Sequence, residues 1–310
     1  MEQPDSTTRI AILGAGLIGT AWAALFRHHG FDVRIWDPAP EALDSAEARM
    51  TIPLAQLAEI ASDAGRSGTL TLCKSLEDAV TGAALVQENA PESIPVKHAL
   101  YAQVEPHLAT DTILASSSSA LTWSDLAPAL QDPARLITAH PFNPPHLVPL
   151  VEVYGTDPAH IHRAEAIYRA AGRVPVRLKK DATGHIANRL ASALWREAVF
   201  MVQDGIADVE AIDAALVNGP GLRWSVLGAH MAYHLGGGAG GMAGYLAHLG
   251  PSQERRWSAL GQPSLTPDVQ AALVAGTTAA ANGRSITELE AARDKALIAA
   301  LCARNDAPNV

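Results

Sequence analysis

Three short stretches hold residue types that can do chemistry together. Ala115-Ser116-Ser117-Ser118-Ser119 clusters hydroxyls, His140-Pro141-Phe142-Asn143-Pro144 sets a histidine and a carboxamide among prolines, and Leu150-Val151-Glu152 puts an acid in an apolar run. Histidine is the side chain whose ordinary pKa lies nearest neutrality, so His140 is suited to take a proton from a hydroxyl. An acid among apolar residues needs a partner when buried, which makes Glu152 a candidate to pair with that ring. A carboxylate on one imidazole nitrogen fixes the tautomer and stabilises the imidazolium as it forms. Serine and asparagine donate hydrogen bonds and can hold a developing carbonyl oxygen. The same residues also have plainer uses. His140 is one of twelve histidines, and Pro141, Pro144 and Pro145 equally suit an inert rigid loop.

A second constellation opens the chain. Gly14-Ala15-Gly16-Leu17-Ile18-Gly19 matches GxGxxG, with a β-prone run, Arg9–Leu13, before it and a helical pattern after it. Gly14 permits the tight turn, Gly16 lets a pyrophosphate approach the backbone, and Gly19 lets helix and strand pack closely. The phosphates would sit on the helix N-terminus, beside Leu17 and Ile18, where free N–H groups favour anions. Asp37 closes the next β-prone run, where an acid would bind the ribose hydroxyls and repel a 2′-phosphate. Pro38-Ala39-Pro40 offers no arginine to receive one, so the expected cofactor is NAD.

Positioning these residues requires a sheet. Eight β-prone runs occur at 9–13, 32–36, 69–73, 84–88, 112–116, 135–139, 150–154 and 174–178, several of them almost wholly apolar, as strands buried on both faces are. Helical patterns alternate with them, including 19–29 and 159–171, the latter stopped by Gly172. That alternation predicts an α/β fold, a Rossmann-type dinucleotide-binding domain with a mainly parallel sheet over residues 1–182. From 183 to 310 the pattern is all-helical, with helices at 188–203, from the N-cap Asp208 to 216, and at 286–304 behind a Ser285/Glu288 capping box. Glycine and proline punctuate 218–221 and 236–241. This second domain is expected to bind substrate and to dimerise.

The order of the glycine loop, the serine run, the His-Pro-Phe-Asn-Pro segment and Asp-Ala-Thr-Gly-His-Ile-Ala-Asn-Arg-Leu at 181–190 resembles the 3-hydroxyacyl-CoA dehydrogenase family, up to about Gly228. The resemblance implies His140 as the base, Glu152 as its partner, and Ser119, Asn143 and Asn188 around the reacting oxygen; Ser118 is the competitor for the serine's part. It also implies Glu92 and Lys97 on the nicotinamide side, although by type both read as ordinary surface residues. Hydride departure from a carbinol carbon requires the hydroxyl proton to leave, and this set can take it.

The acyl-CoA members carry a lysine-rich segment after the second strand. Here residues 38–72 hold Glu41, Asp44, Glu47, Glu59 and Asp63 against only Arg49 and Arg66, a poor surface for several phosphate charges. Gly221-Leu222-Arg223-Trp224 and Ala193-Leu194-Trp195-Arg196-Glu197-Ala198 look like the branch with L-carnitine dehydrogenase and L-gulonate 3-dehydrogenase, the Gly237–Tyr245 stretch leaning to the carnitine side. Arg223 can pair with a free carboxylate, and Trp224, Trp195 and Tyr233 can offer faces to a quaternary ammonium, or simply pack a core. Arg196 and Glu197 read as a solvated or structural pair. The reading is therefore an NAD-dependent dehydrogenase of a small free 3-hydroxycarboxylate. A CoA thioester enzyme and a non-catalytic NAD-binding structural protein are the alternatives.

Several classes are disfavoured. Lys and Arg number 23 against 32 Asp and Glu, a formal charge of −9, so no basic footprint for nucleic acid or anionic membrane exists. No apolar run approaches the roughly 20 residues that span a bilayer, and the polar, acidic start lacks the regions of a signal peptide. Cys73 and Cys302 are far apart and read as packed thiols of a reducing, cytoplasmic compartment. His230 and His234 lack a third ligand nearby, so no metal is expected. A homodimer is expected from the resemblance.

Overall fold

The structure is a computed structural model that describes residues 8–60 and 67–305. The first seven residues, Asp63 and Arg66, on which part of the sequence reading rests, lie outside the described residues. All eight runs form strands: β1 (Arg9–Leu13), β2 (Asp32–Trp36), β3 (Leu70–Leu72), β4 (Leu85–Glu88), β5 (Ile113–Ser116), β6 (Leu136–Pro141), β7 (Leu150–Gly155) and β8 (Val174–Arg177). They make one sheet in the order β3-β2-β1-β4-β5-β6-β7-β8. Every pairing is parallel except β6 with β7. The order reverses at β1 and β4, and the crevice at the strands' carboxyl ends there is where such sheets bind ligands.

Alternate residues of one strand feed opposite cores. Ile10 and Ile12 of β1 pack with Trp22, Leu25 and Phe26 of the helix Leu17–His28 and with Tyr168 of Pro158–Ala170. Ala11 and Leu13 point the other way, into Tyr101 and Val104 of Ile94–Val104. Burial on both faces explains why these strands read as continuous apolar runs.

One boundary differs from the sequence reading in a way that matters. The apolar run ends at Ala139, yet β6 continues through His140 and Pro141. Thr138, opposite Ser116, is its last residue paired with β5, so beyond that point only β7 lies beside it. At such an edge a proline costs no ladder bond. His140 is therefore a strand residue and not part of a loop.

Chain compactness divides the protein after Arg189, inside the helix Ala187–Gln203. The second unit is all-helical: that helix continues, followed by Val209–Asn218, Pro220–Trp224, Ala229–Gly236, Gly241–Ala259, Pro267–Ala281 and Ile286–Asn305. Asp208 caps as expected, accepting from the Ala211 N–H, and Ser285 and Glu288 exchange the reciprocal bonds of a capping box. The helix Gly241–Ala259 starts inside the glycine-rich stretch that reads as a break, and it carries Pro251 within it.

Candidate active site

Residues His140 and Glu152 lie directly opposite in the β6–β7 register. Directly paired strand residues point to the same face with Cβ atoms about 5 Å apart, so the side chains meet by construction. The imidazole Nδ1 is 2.8 Å from Glu152 Oε2. His140 is 5% exposed and Glu152 fully buried. The other oxygen, Oε1, accepts from the Ile186 and Ala187 N–H groups at 2.7 and 2.8 Å. Burial pushes this carboxyl up, but the bonds from His140, Ala187 and Ile186 more than offset it and hold it below the usual carboxylate range. Glu152 stays ionised, so it keeps the proton of a neutral His140 on Nδ1 and leaves Nε2 as the free acceptor.

His140, Ser119, Asn143, Asn188, Ile18, Glu92 and Lys97 all line one cavity of about 430 Å³. All seven belong to the first unit, and the sheet order is what gathers them from distant parts of its sequence. Leu17 points elsewhere, 69% exposed and on an adjoining hollow that Asn143 also borders. The Ser118 hydroxyl donates to Glu92 Oε1, whereas Ser119 lines the cavity.

Lys97 is not a surface residue, and Glu92, although exposed, is tied to the serine loop. Lys97 is 1% exposed, with Nζ 2.6 Å from Glu88 Oε1 and 3.1 Å from the Ala90 carbonyl. Glu92 Oε1 gathers the Ser119, Ala120 and Leu121 N–H groups at 3.1, 2.8 and 3.0 Å besides the Ser118 hydroxyl, and so shapes the serine loop. Burial raises its pKa, but these bonds and Lys97 prevail and hold it low. Sequence reasoning missed Glu88, which is fully buried and also accepts from the Tyr101 and Ser116 hydroxyls. The signal was available. Glu88 ends an apolar run, and the argument that gave Glu152 a partner applies to it equally.

The glycine loop fits a dinucleotide. Gly14 has φ +98, and a Cβ there would meet the Asn89 carbonyl at 2.9 Å. A Cβ on Gly19 would lie 1.8 Å from the Gly14 carbonyl, so only glycine allows this approach of helix to loop. A Cβ on Gly16 would meet nothing within 4 Å: the space beside it is open where a pyrophosphate would lie. Asp37 accepts from the Ala15 and Ala39 N–H groups at 2.7 and 2.9 Å, which fixes its carboxylate at the end of β2 next to the loop.

The remaining candidates belong to the second unit. Arg223 and Trp224 lie on the short helix Pro220–Trp224 and are exposed, Trp224 by 38%. Trp195 is 55% exposed and is no core residue, while Tyr233 packs on Tyr245 with ring centroids 4.9 Å apart. Glu197 accepts from the Gly261 N–H at 2.8 Å, a structural bond across the unit. Trp224 and Glu197 border an otherwise apolar hollow of about 860 Å³. Among the described residues no group of His, Cys, Asp and Glu could hold a metal, and no helix is long and apolar enough to cross a membrane.

The family model described as the NAD-binding domain of 3-hydroxyacyl-CoA dehydrogenase matches residues 9–182, and the model of its C-terminal domain matches 184–268. The chain is 42% identical over 309 residues to L-carnitine dehydrogenase of Streptomyces griseus, covering 98% of this chain and 92% of that one. It is 39% identical to L-carnitine dehydrogenase of Pseudomonas putida over 94% of this chain and 92% of that one. Among solved structures it is similar to 5-formyl-3-hydroxy-2-methylpyridine 4-carboxylic acid 5-dehydrogenase, an NAD⁺-dependent dismutase, with a TM-score of 0.83 and 28% identity over 97% of this chain and 100% of that one.

Proposed function

The chain belongs to the 3-hydroxyacyl-CoA dehydrogenase family and is an NAD-dependent oxidoreductase, and from that premise we propose that it oxidises the 3-hydroxyl of a small free 3-hydroxycarboxylate, of carnitine or gulonate size, to the 3-keto acid. The observation that carries the chemistry is the buried His140–Glu152 pair on the wall of a cavity that Ile18 of the glycine loop also lines. NAD, when bound along Gly14, Gly16, Leu17, Ile18, Gly19 and Asp37, supplies the hydride acceptor. His140 Nε2 takes the hydroxyl proton as general base. Glu152 remains a carboxylate and stabilises the imidazolium. Ser119, Asn143 and Asn188 donate to the oxygen as it becomes a carbonyl. Glu92 and Lys97 complete the nicotinamide side.

Three observations support a free acid over a thioester. Glu41, Asp44, Glu47 and Glu59 are all exposed, so the surface after β2 repels phosphates. Arg49 donates to the Ala15 carbonyl at 2.9 Å, which ties it to the glycine loop. The L-carnitine dehydrogenases above are named for a free hydroxy acid, and the pyridine dehydrogenase for a carboxylic acid. Arg223 then pairs with the substrate carboxylate, and Trp224 contributes an apolar face beside it. The family's name favours a second reading, a CoA thioester substrate.

The division of labour is part of the proposal: residues 1–182 bind NAD, and 183–310 bind substrate and form a homodimer. Exposed Leu190, Leu222, Leu235, Leu246 and Val274 in the helical unit offer apolar area for a second copy to cover. Free Cys73 and Cys302 suit the cytoplasm. NADH formation with L-carnitine, L-gulonate, 3-hydroxybutyrate and 3-hydroxybutyryl-CoA at mildly alkaline pH tests the substrate class. Turnover of a free acid is expected; turnover of the thioester alone would sink the proposal.

A further inference from the structure

His185 is one of only two described non-glycine residues in the left-handed region, with φ +48. A left-handed L-residue is strained, and glycine or asparagine is the usual occupant. The ring here is 2% exposed. Its centroid is 5.0 Å from that of His140, the planes tilted by 39°. Its Nε2 lies 3.1 Å from the Ser118 carbonyl, which can only accept, so Nε2 carries hydrogen. Its Nδ1 is buried without a partner. The Gly184–His185 turn, left-handed at both residues, is followed at once by the Ile186 and Ala187 N–H groups that hold Glu152.

We infer that His185 is a positioning residue for the base: its neutral ring packs on His140 and ties down the serine loop, and its backbone turn presents the two N–H groups that anchor Glu152. The inference rests on the reading of His140 as the base. Each part of the site is reached by a different piece of one residue. The ring sets the plane against which His140 lies. The Nε2–H bond fixes Ser118, one residue before the cavity-lining Ser119. The strained backbone is retained because a glycine would supply the turn without the ring, and a right-handed residue would supply neither.

The ring must also stay neutral. A protonated Nδ1 would be a buried cation without an acceptor, 5.0 Å from a base that becomes cationic during turnover. The charged groups facing it are His140 on β6, Glu152 on β7 and Asp181 on its own loop. Burial is the largest influence and lowers its pKa, aided by His140; the Ser118 carbonyl, Glu152 and Asp181 pull the other way and do not prevail. Once acid does protonate His185, its charge lies 5.0 Å from the ring that becomes cationic during turnover and opposes that step.

H185F and H185Q in the full chain, with H140A as control, test this through kcat, KM, the NADH dissociation constant and the pH profile of kcat/KM with L-carnitine. H185F should lose at least about tenfold in kcat with NADH binding unchanged, a loss expected where a supporting bond misplaces reacting groups. H185Q, whose amide can still donate to Ser118, should recover part of that loss. The acid limb of the wild type should steepen from a one-proton to a two-proton dependence, and both variants should remain one-proton. Histidine ring resonances of the wild-type protein give a readout independent of turnover and of variant folding. His185 should titrate below 6.5, its ordinary value. A titration at or above that value overturns the inference, as do variants with wild-type kcat and pH profile beside an inactive H140A. An active H140A would instead overturn the reading of the base.

Discussion

His140 and Glu152 are twelve residues apart and meet across one rung of the sheet, at 2.8 Å. Glu152 orients rather than reacts, so Glu152→Gln separates the two roles. A glutamine nitrogen beside Nδ1 would donate to it and move the imidazole proton to Nε2, the atom that must be free. The variant should bind NADH normally and lose about 10²–10⁴-fold in kcat. A kcat within a few-fold of wild type would show that the carboxylate does not set the tautomer. At this scale the sequence was legible wherever a residue type had an unusual setting. Glu152 stood out in an apolar run, and the glycines stood out by spacing. Lys97 and Glu92 did not, because their type is common on surfaces and only the fold reveals that one is buried and the other collects N–H groups. His185 gave no signal at all, since neither its left-handed backbone nor its contact with His140 is written in local sequence.

Elements place these residues, and the glycine loop tests how. The Gly16→Ala methyl enters open space, so stability should change by no more than about 0.5 kcal/mol while NADH affinity falls at least about tenfold. The Gly19→Ala methyl would sit 1.8 Å from the Gly14 carbonyl, so the helix must shift and both stability and affinity should fall. Denaturant unfolding and NADH titration of the two variants measure the contrast; equal losses of stability would contradict the packing described. All eight strands could be read because burial on both faces writes a plain apolar run. The helix Gly241–Ala259 could not, since the glycines of 236–241 read as punctuation and Pro251 lies within it. A proline is tolerated in a helix when its lost bond is the only one sacrificed, and local pattern cannot show that. The end of β6 escaped for a related reason: Pro141 looked like a loop residue until β7 was known to be its sole neighbour.

The molecule as a whole should lose stability in acid, in two stages. Burial lowers the pKa of His29 to about 4, and it lowers those of His28 and His185 as well. A depressed histidine is neutral in the folded chain while the unfolded chain takes up protons first. Its contribution is therefore full above 6.5 and is lost as pH falls towards about 4. Glu152, Glu92 and Glu165 are held below their ordinary value of 4.5, so their contributions are lost in turn as pH falls further. Melting temperature measured against pH should fall from 6.5 downward, and His29→Gln should flatten the first stage alone. A melting temperature constant down to pH 4.5 would contradict the burial of these rings.

The central claim is that His140 removes the proton that lets hydride leave. Single-turnover NADH formation by His140→Ala, with NAD and the free hydroxy acid saturating, tests it most directly. The rate should fall about 10²–10⁴-fold with NADH affinity intact. A rate within a few-fold of wild type would contradict the account, whichever hydroxy acid is used.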